Sequence, residues 1–242
     1  MTKLSVNINK IALLRNSRGR NFPDVATFAE RCLQGGADGI TLHPRPDQRH
    51  ARYSDVASLQ TVVTNYASEL NVEGYPTQDF LEAVRAARPA QCTLVPDSPD
   101  QITSDHGWDL QRDAALLEPV IAALRADGIR VSLFIDVGTP DLALAKKLGA
   151  DRVELYTEPY AEQFGSSQAS AVLAAFRATA ARAVTAGLGV NAGHDLNLDN
   201  LATFLTIPDI LEVSIGHALV VESLEFGLPA VLARYCAIVA GR

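Results

Sequence analysis

Three of the five histidines, His43, His194 and His217, each stand directly after a short apolar run. The densest chemistry follows the first of them, in His43-Pro44-Arg45-Pro46-Asp47-Gln48-Arg49-His50. Its imidazoles and guanidiniums can carry protons and hold anions, and its prolines stiffen the backbone. A solvated basic loop is the alternative, but rigidity adds nothing to mere solubility. A metal site is not expected: the His43 to His50 spacing matches no familiar ligand pattern, no cysteine is close, and the arginines would repel a cation.

Glu73 closes another apolar run and precedes Gly74. It either pairs with a neighbouring arginine for structure or serves as a general base whose pKa is raised by desolvation. Its place at a strand end favours the base. Glu154 interrupts a further apolar run. Asn191-Ala192-Gly193-His194 and Ile215-Gly216-His217 end two more. Glycine at such positions lets backbone N–H groups approach a phosphate closely, although ordinary turn chemistry also uses it. Asn7, Asn9 and Lys10 follow the first run. Arg18 lies in a flexible segment, where it could clamp an anion or merely be solvated. His106 falls in an irregular stretch and is expected to be exposed.

These residues need elements to hold them. Strands are predicted over 4–8, 39–43, 69–73, 91–95, 130–135, 152–156, 189–191 and 211–215, most of them bounded by Gly, Pro, Asp or Asn. Helical spacing is predicted over 24–34, 54–66, 77–87, 114–126, 140–148, 168–186, 199–205 and 228–239. Gly36-Ala37-Asp38 and Gly149-Ala150-Asp151 both precede strands, a weak internal echo of one βα unit. Eight alternations in 242 residues predict a single (β/α)₈ TIM barrel with a few additional helices over 1–242, with an open doubly wound sheet as the alternative. In a barrel, groups at the C-terminal strand ends carry the chemistry. Residues 96–111, rich in Asp, Ser and Pro, are expected to form a lid or an extra helix over the site.

Composition narrows the class. Apolar residues make up 48% and charged residues 20%, enough for a large core. A net charge of −7 argues against nucleic-acid or anionic-membrane binding, not against small anions. No apolar run near residue 1 resembles a signal sequence, and none approaches the ~18 residues of a membrane span. Cys32, Cys92 and Cys236 read as reduced, buried small hydrophobes, and the expected compartment is the cytoplasm.

The order of motifs is specific. V-N-I-x-x-I-A-x-L-R-N-x-R-G over 6–19 and G-A-D-G-I-T-x-H-x-R-x-D-x-R-H over 36–50 are joined by L-V-P, V-S-L-F-I-D, V-N-A-G-H and I-G-H-A. Together they make the chain similar to the pyridoxine 5′-phosphate synthase family from Val6 to about Gly227. The resemblance implies an octamer of barrels without metal or organic cofactor. It implies condensation of 1-deoxy-D-xylulose 5-phosphate with 3-amino-2-oxopropyl phosphate to pyridoxine 5′-phosphate, inorganic phosphate and water. It makes His43 and Glu73 proton acceptors, His194 a proton donor and Glu154 a transition-state stabiliser. It makes Asn7, Arg18, Arg45, His50, Thr103, Gly216 and His217 binding positions. Many members carry Asp-His where this chain has Asn9-Lys10, and Gly where it has Asp195. Those three residues are expected beside the substrates, with binding detail altered.

Overall fold

The two Gly-Ala-Asp echoes turn out to be one structural device used twice. The structure is a computed structural model, which describes residues 1–97 and 104–241. Gly36 and Gly149 both have φ of +101°, a left-handed conformation that glycine adopts without strain. Each reverses the chain at a helix end. The aspartate two residues on then caps a neighbouring strand: Asp38 Oδ2 accepts the Leu4 N–H at 2.9 Å, and Asp151 Oδ2 accepts the Val131 N–H at 3.0 Å. Side chains cap several helix starts: Asp24 accepts the Thr27 N–H at 2.7 Å, Thr77 the Phe80 N–H at 3.3 Å and Asp141 the Leu144 N–H at 3.3 Å.

The first half of the chain runs β1 (Lys3–Asn7), α1 (Asn9–Asn16), α2 (Val25–Gln34), β2 (Gly39–Leu42), α3 (Tyr53–Asn65), β3 (Glu69–Gly74), α4 (Gln78–Ala87) and β4 (Gln91–Leu94). The second runs α5 (Ala114–Ala126), β5 (Arg130–Ile135), α6 (Leu142–Lys147), β6 (Arg152–Tyr156), α7 (Glu158–Gln163), α8 (Ala169–Thr185), β7 (Gly189–Gly193), α9 (Leu201–Phe204), β8 (Ile210–Ile215), α10 (His217–Phe226) and α11 (Leu228–Val239). All eight strands are parallel and close in sequence order, with β1 pairing β8. This is the expected (β/α)₈ barrel rather than an open sheet.

The sequence pattern predicted a few additional helices without placing them; those it did not place are α1, α7 and α10. All three start two residues beyond a strand end, and α10 is apolar on too many sides to show a clean stripe. Strand β7 runs two residues further than expected, to Gly193.

The strands alternate, but with their polar faces inward. Leu4, Val6, Leu70, Val72, Val131, Leu133 and Val213 belong to the apolar core, all fully buried. Ser5, Thr41, Asn71, Gln91, Thr93, Ser132, Asn191 and Glu212 are buried polar residues. Gln91 on β4 hydrogen-bonds Glu212 on β8 and Asn191 on β7, each at 3.4 Å. Those strands are not neighbours, so these side chains meet in the lumen. Among the described residues no helix is long and apolar enough to cross a membrane.

Candidate active site

The motif residues of α1 hold the His43–His50 segment in place. Arg15 is buried and binds Asp55 through both terminal nitrogens, at 2.6 and 2.9 Å, and donates to the His50 carbonyl at 3.1 Å. Asn16 Nδ2 donates to the carbonyls of Gln48, Arg49 and His50 at 3.2, 3.0 and 2.8 Å. A buried bidentate pair of this kind is geometrically demanding, so it fixes the segment's position. Asn7 Oδ1 accepts the Asn9 N–H, and Asn9 Oδ1 accepts the His43 N–H at 2.9 Å. Asn9 therefore uses its carbonyl oxygen as an acceptor, a task that asparagine and aspartate perform alike.

The strand ends surround one cavity of about 420 Å³. His43, Arg45, His50, Glu73, Glu154, His194, Gly216 and His217 line it, with Asn7, Asn9, Lys10 and Asp195. Twelve of the expected residues thus come together from six strands and their loops. Arg18 does not line it; it is exposed in the turn after α1. Thr103 lies outside the described residues, as does much of the expected lid. His106 is exposed, as anticipated.

His43 stands between two carboxylates, with Nδ1 4.0 Å from Glu73 and Nε2 3.8 Å from Asp97. Burial, and then the charge of Arg45, hold its pKa well below the usual imidazole value, so the ring rests neutral. Arg45 Nη2 donates to Asp97 at 2.5 Å, and Ser104 Oγ donates to the same carboxylate at 2.7 Å. His50 Nδ1 accepts the Ala51 N–H at 2.8 Å. Burial and Arg45 bring the His50 pKa to about 4, which leaves its Nε2–H as a neutral donor.

Glu73 and Glu154 are 4% and 2% exposed, and no cation pairs directly with either among the described ion pairs. Burial, followed by repulsion from Glu154 and Glu212, raises Glu73 well above the usual carboxylate range. Burial and Glu212 raise Glu154 to about 8. Such carboxyls exchange protons near neutrality. Glu154 depends on Gly193, because a Cβ there would lie 2.6 Å from its Oε1.

His194 packs against Phe134 and Tyr156, with ring centroids at 5.1 and 5.5 Å. Burial lowers its pKa, while Asp195 and Asp97 pull upward. Thr157 donates to the carbonyls of Gly193 and His194. His194 and Asp195 have φ of +84° and +56°. Aspartate tolerates the left-handed region better than most residues, which fits Asp195 to this position. Its exposed side chain stays at the rim.

Asp97, Asn71, Thr93 and the aromatic seat of His194 were not singled out from the sequence. Asp97 was hidden in a loop rich in similar residues. The lumen polar residues looked like ordinary interruptions of apolar strands. Among the described residues no cluster of three or more His, Cys, Asp or Glu could hold a metal ion.

Imidazoles, carboxyls and a buried arginine gathered at the C-terminal mouth of a parallel barrel are the arrangement of a (β/α)₈-barrel enzyme. The family model described as "Pyridoxal phosphate biosynthesis protein PdxJ" matches residues 4–241. A pyridoxine 5′-phosphate synthase of Xanthomonas campestris pv. campestris is 55% identical over 248 residues, covering 99% of this chain and 97% of the relative. One of Xanthomonas oryzae pv. oryzae is 53% identical, with the same coverage. The chain belongs to the pyridoxine 5′-phosphate synthase family of vitamin B6 biosynthesis. Among solved structures, a tryptophan synthase from M. tuberculosis superposes with a TM-score of 0.66 at 15% identity, covering 98% of this chain and 92% of the other. At that identity the likeness concerns the fold alone.

Proposed function

We propose that this chain condenses 1-deoxy-D-xylulose 5-phosphate with 3-amino-2-oxopropyl phosphate to pyridoxine 5′-phosphate, phosphate and water, as a ring-closing transferase using acid–base catalysis without a cofactor. The observation that carries this reading is the convergence of His43, Glu73, Glu154 and His194 in one cavity. The amine must attack the sugar's ketone with loss of water. The sugar's phosphate must then leave, and water must add at that carbon. A carbon nucleophile finally closes the ring on the amino-ketone's carbonyl. Each step moves a proton, so several poised acids and bases serve better than one strong nucleophile.

In this reading Glu73 removes protons, His194 protonates the departing hydroxyl, and His43 assists phosphate loss and water activation. Glu154 stabilises the transition states. Arg45 meets the phosphate that leaves. The retained phosphate rests on the N–H groups of Gly216 and His217 at the start of α10. That helix has ten residues and no side-chain cap, so its first N–H groups are available to an anion. A Cβ on Gly216 would lie 3.1 Å from the Asn7 Cβ, so glycine keeps the approach open. Asn7, His50 and His217 add donors around the substrates, and Lys10 adds a cation at the rim.

The same reading places the enzyme in the cytoplasm as an octamer. Leu13 and Leu14 on α1 and Leu224 and Phe226 on α10 are exposed and offer apolar surface for assembly. A phosphate-release assay with each substrate alone and with both together tests the reaction. Release only with both, together with the ring product, is expected. Release from the sugar phosphate alone, or none with both, would overturn it.

A further inference from the structure

We propose that the Thr93 hydroxyl is a positioning residue that links the charge of Glu154 to that of Glu73 across the barrel lumen. The inference rests on the acid–base reading above and extends it to a residue that does not line the cavity. Thr93 is fully buried on β4. Its Oγ1 lies 3.0 Å from Asn71 Oδ1 and 3.3 Å from Glu154 Oε2. Asn71 Nδ2 in turn donates to Glu73 Oε1 at 3.4 Å. The chain of contacts runs Glu154, Thr93, Asn71, Glu73.

A hydroxyl has one proton to give and two lone pairs to receive with. When Glu154 is protonated, its O–H donates to Thr93, and the Thr93 proton turns to the Asn71 carbonyl oxygen. An amide that accepts at oxygen becomes a better donor at nitrogen, so Asn71 then supports a charged Glu73. When Glu154 is ionised, the Thr93 proton turns to Glu154 instead. Asn71 Oδ1 loses that donor, and Glu73 loses part of its support. The hydroxyl thus favours one charge shared between two carboxylates: Glu73 is ready as a base while Glu154 holds a proton, and the reverse. No proton crosses the amide; the hydroxyl only rotates.

Other charged or titratable groups face the pair. His43, Arg45, Asp97 and Cys92 lie toward Glu73, and His194 stands across the cavity. Glu212 of β8 faces both carboxylates and is itself held by Arg152 of β6. Repulsion between Glu73 and Glu154 has the same sign as the hydroxyl link. The test must therefore remove the hydroxyl and leave both charges.

Thr93→Val does so at nearly constant volume. With glutamate carboxyls labelled with ¹³C, NMR titration of the full chain reads the Glu154 midpoint in the parent, in Thr93→Val and in Thr93→Ser, each with and without Glu73→Gln. In the parent, Glu73→Gln should lower the Glu154 midpoint. In Thr93→Val the lowering should be smaller, and Thr93→Ser should restore it. Hydrogen bonds to charged groups contribute enough for Thr93→Val to lower kcat roughly tenfold to a hundredfold, with KM little changed and recovery in Thr93→Ser. An equal effect of Glu73→Gln with and without the hydroxyl would overturn the link. If Thr93→Val does not fold, Thr93→Cys, with its weak donor, gives the same two outcomes. A parent protein that makes no ring product would remove the proposed reaction, while the titration would still decide the link.

Discussion

Glu69 and Glu73 lie four residues apart on β3, at opposite mouths of the same barrel. At the lower mouth Glu69 accepts from Lys3 at 2.8 Å and from Arg130 at 2.5 Å. Burial alone would raise its pKa, but these hydrogen bonds and charges overcome it and hold Glu69 at about 2. At the upper mouth Glu73 has burial and other carboxylates for company, and its pKa goes up. Glu212 is intermediate: burial raises it, and Arg152 at 3.6 Å opposes. The lower mouth neutralises its acids with cations and belongs to the scaffold. The upper mouth leaves Glu73 and Glu154 without a paired lysine or arginine among the described ion pairs and keeps them reactive, as functional sites tend to do.

The sharpest way to break this contrast is a matched pair of substitutions. Glu73→Gln should lower kcat about 10²–10⁴-fold with the fold intact, the range typical of a general base. Glu69→Gln should leave kcat near the parent value and lower Tm slightly, since Glu69 is partly exposed and water screens its pairs. Steady-state kinetics and thermal melts on both variants decide it; equal losses of kcat would end the distinction.

Gly193→Ala probes how tightly the upper mouth is built. Its Cβ would meet Glu154 Oε1 at 2.6 Å, so the carboxylate must move. A loss of roughly tenfold or more in kcat is expected without loss of secondary structure by circular dichroism. The shorter carboxylate of Gly193→Ala with Glu154→Asp should recover part of it. Full activity in the single variant would show that the position of Glu154 is unimportant.

The upper mouth should also cost stability as pH rises. Glu154 titrates at about 8 in the folded protein, well above an ordinary glutamate. Unfolding above the ordinary value therefore releases a proton, and stability falls between about pH 4.5 and 8. Glu154→Gln cannot ionise in either state. It should flatten that slope and be more stable than the parent at pH 8 by up to a few kcal/mol, measured by denaturant unfolding. An unchanged slope would mean that Glu154 is ionised in the fold at neutral pH.

The smallest effect belongs to the rim. Lys10 is exposed, so its attraction for a phosphate contributes only about 0–1 kcal/mol. Lys10→Met should raise KM for the sugar phosphate no more than about fivefold, and more at low salt than at high. Unchanged KM values at low salt would make this departure from the family neutral.

Much of the site was legible because a parallel barrel places strand ends in a ring. His43, Glu73 and His194 could be found by asking which apolar runs end in chemistry. The Asn9 and Asp195 departures needed coordinates to interpret. One is an acceptor for the His43 N–H, and the other sits at φ of +56°. Arg15 and Asn16 belong to a motif that suggests ligand binding, yet they fasten the His43–His50 segment. Asp97 carried no signal that distinguished it from its acidic neighbours.

Local pattern alone determined the alternation of strands and helices, the glycine turns that join them, and the places where polar groups meet the strand ends. Those features depend on periodicity and backbone preference, which neighbouring residues set. Tertiary structure alone decided which glutamates are acids and which are salts. Proton affinity depends on burial and on charges contributed by distant segments, and barrel closure brings Lys3 and Arg130 to Glu69 but Glu154 and Glu212 toward Glu73.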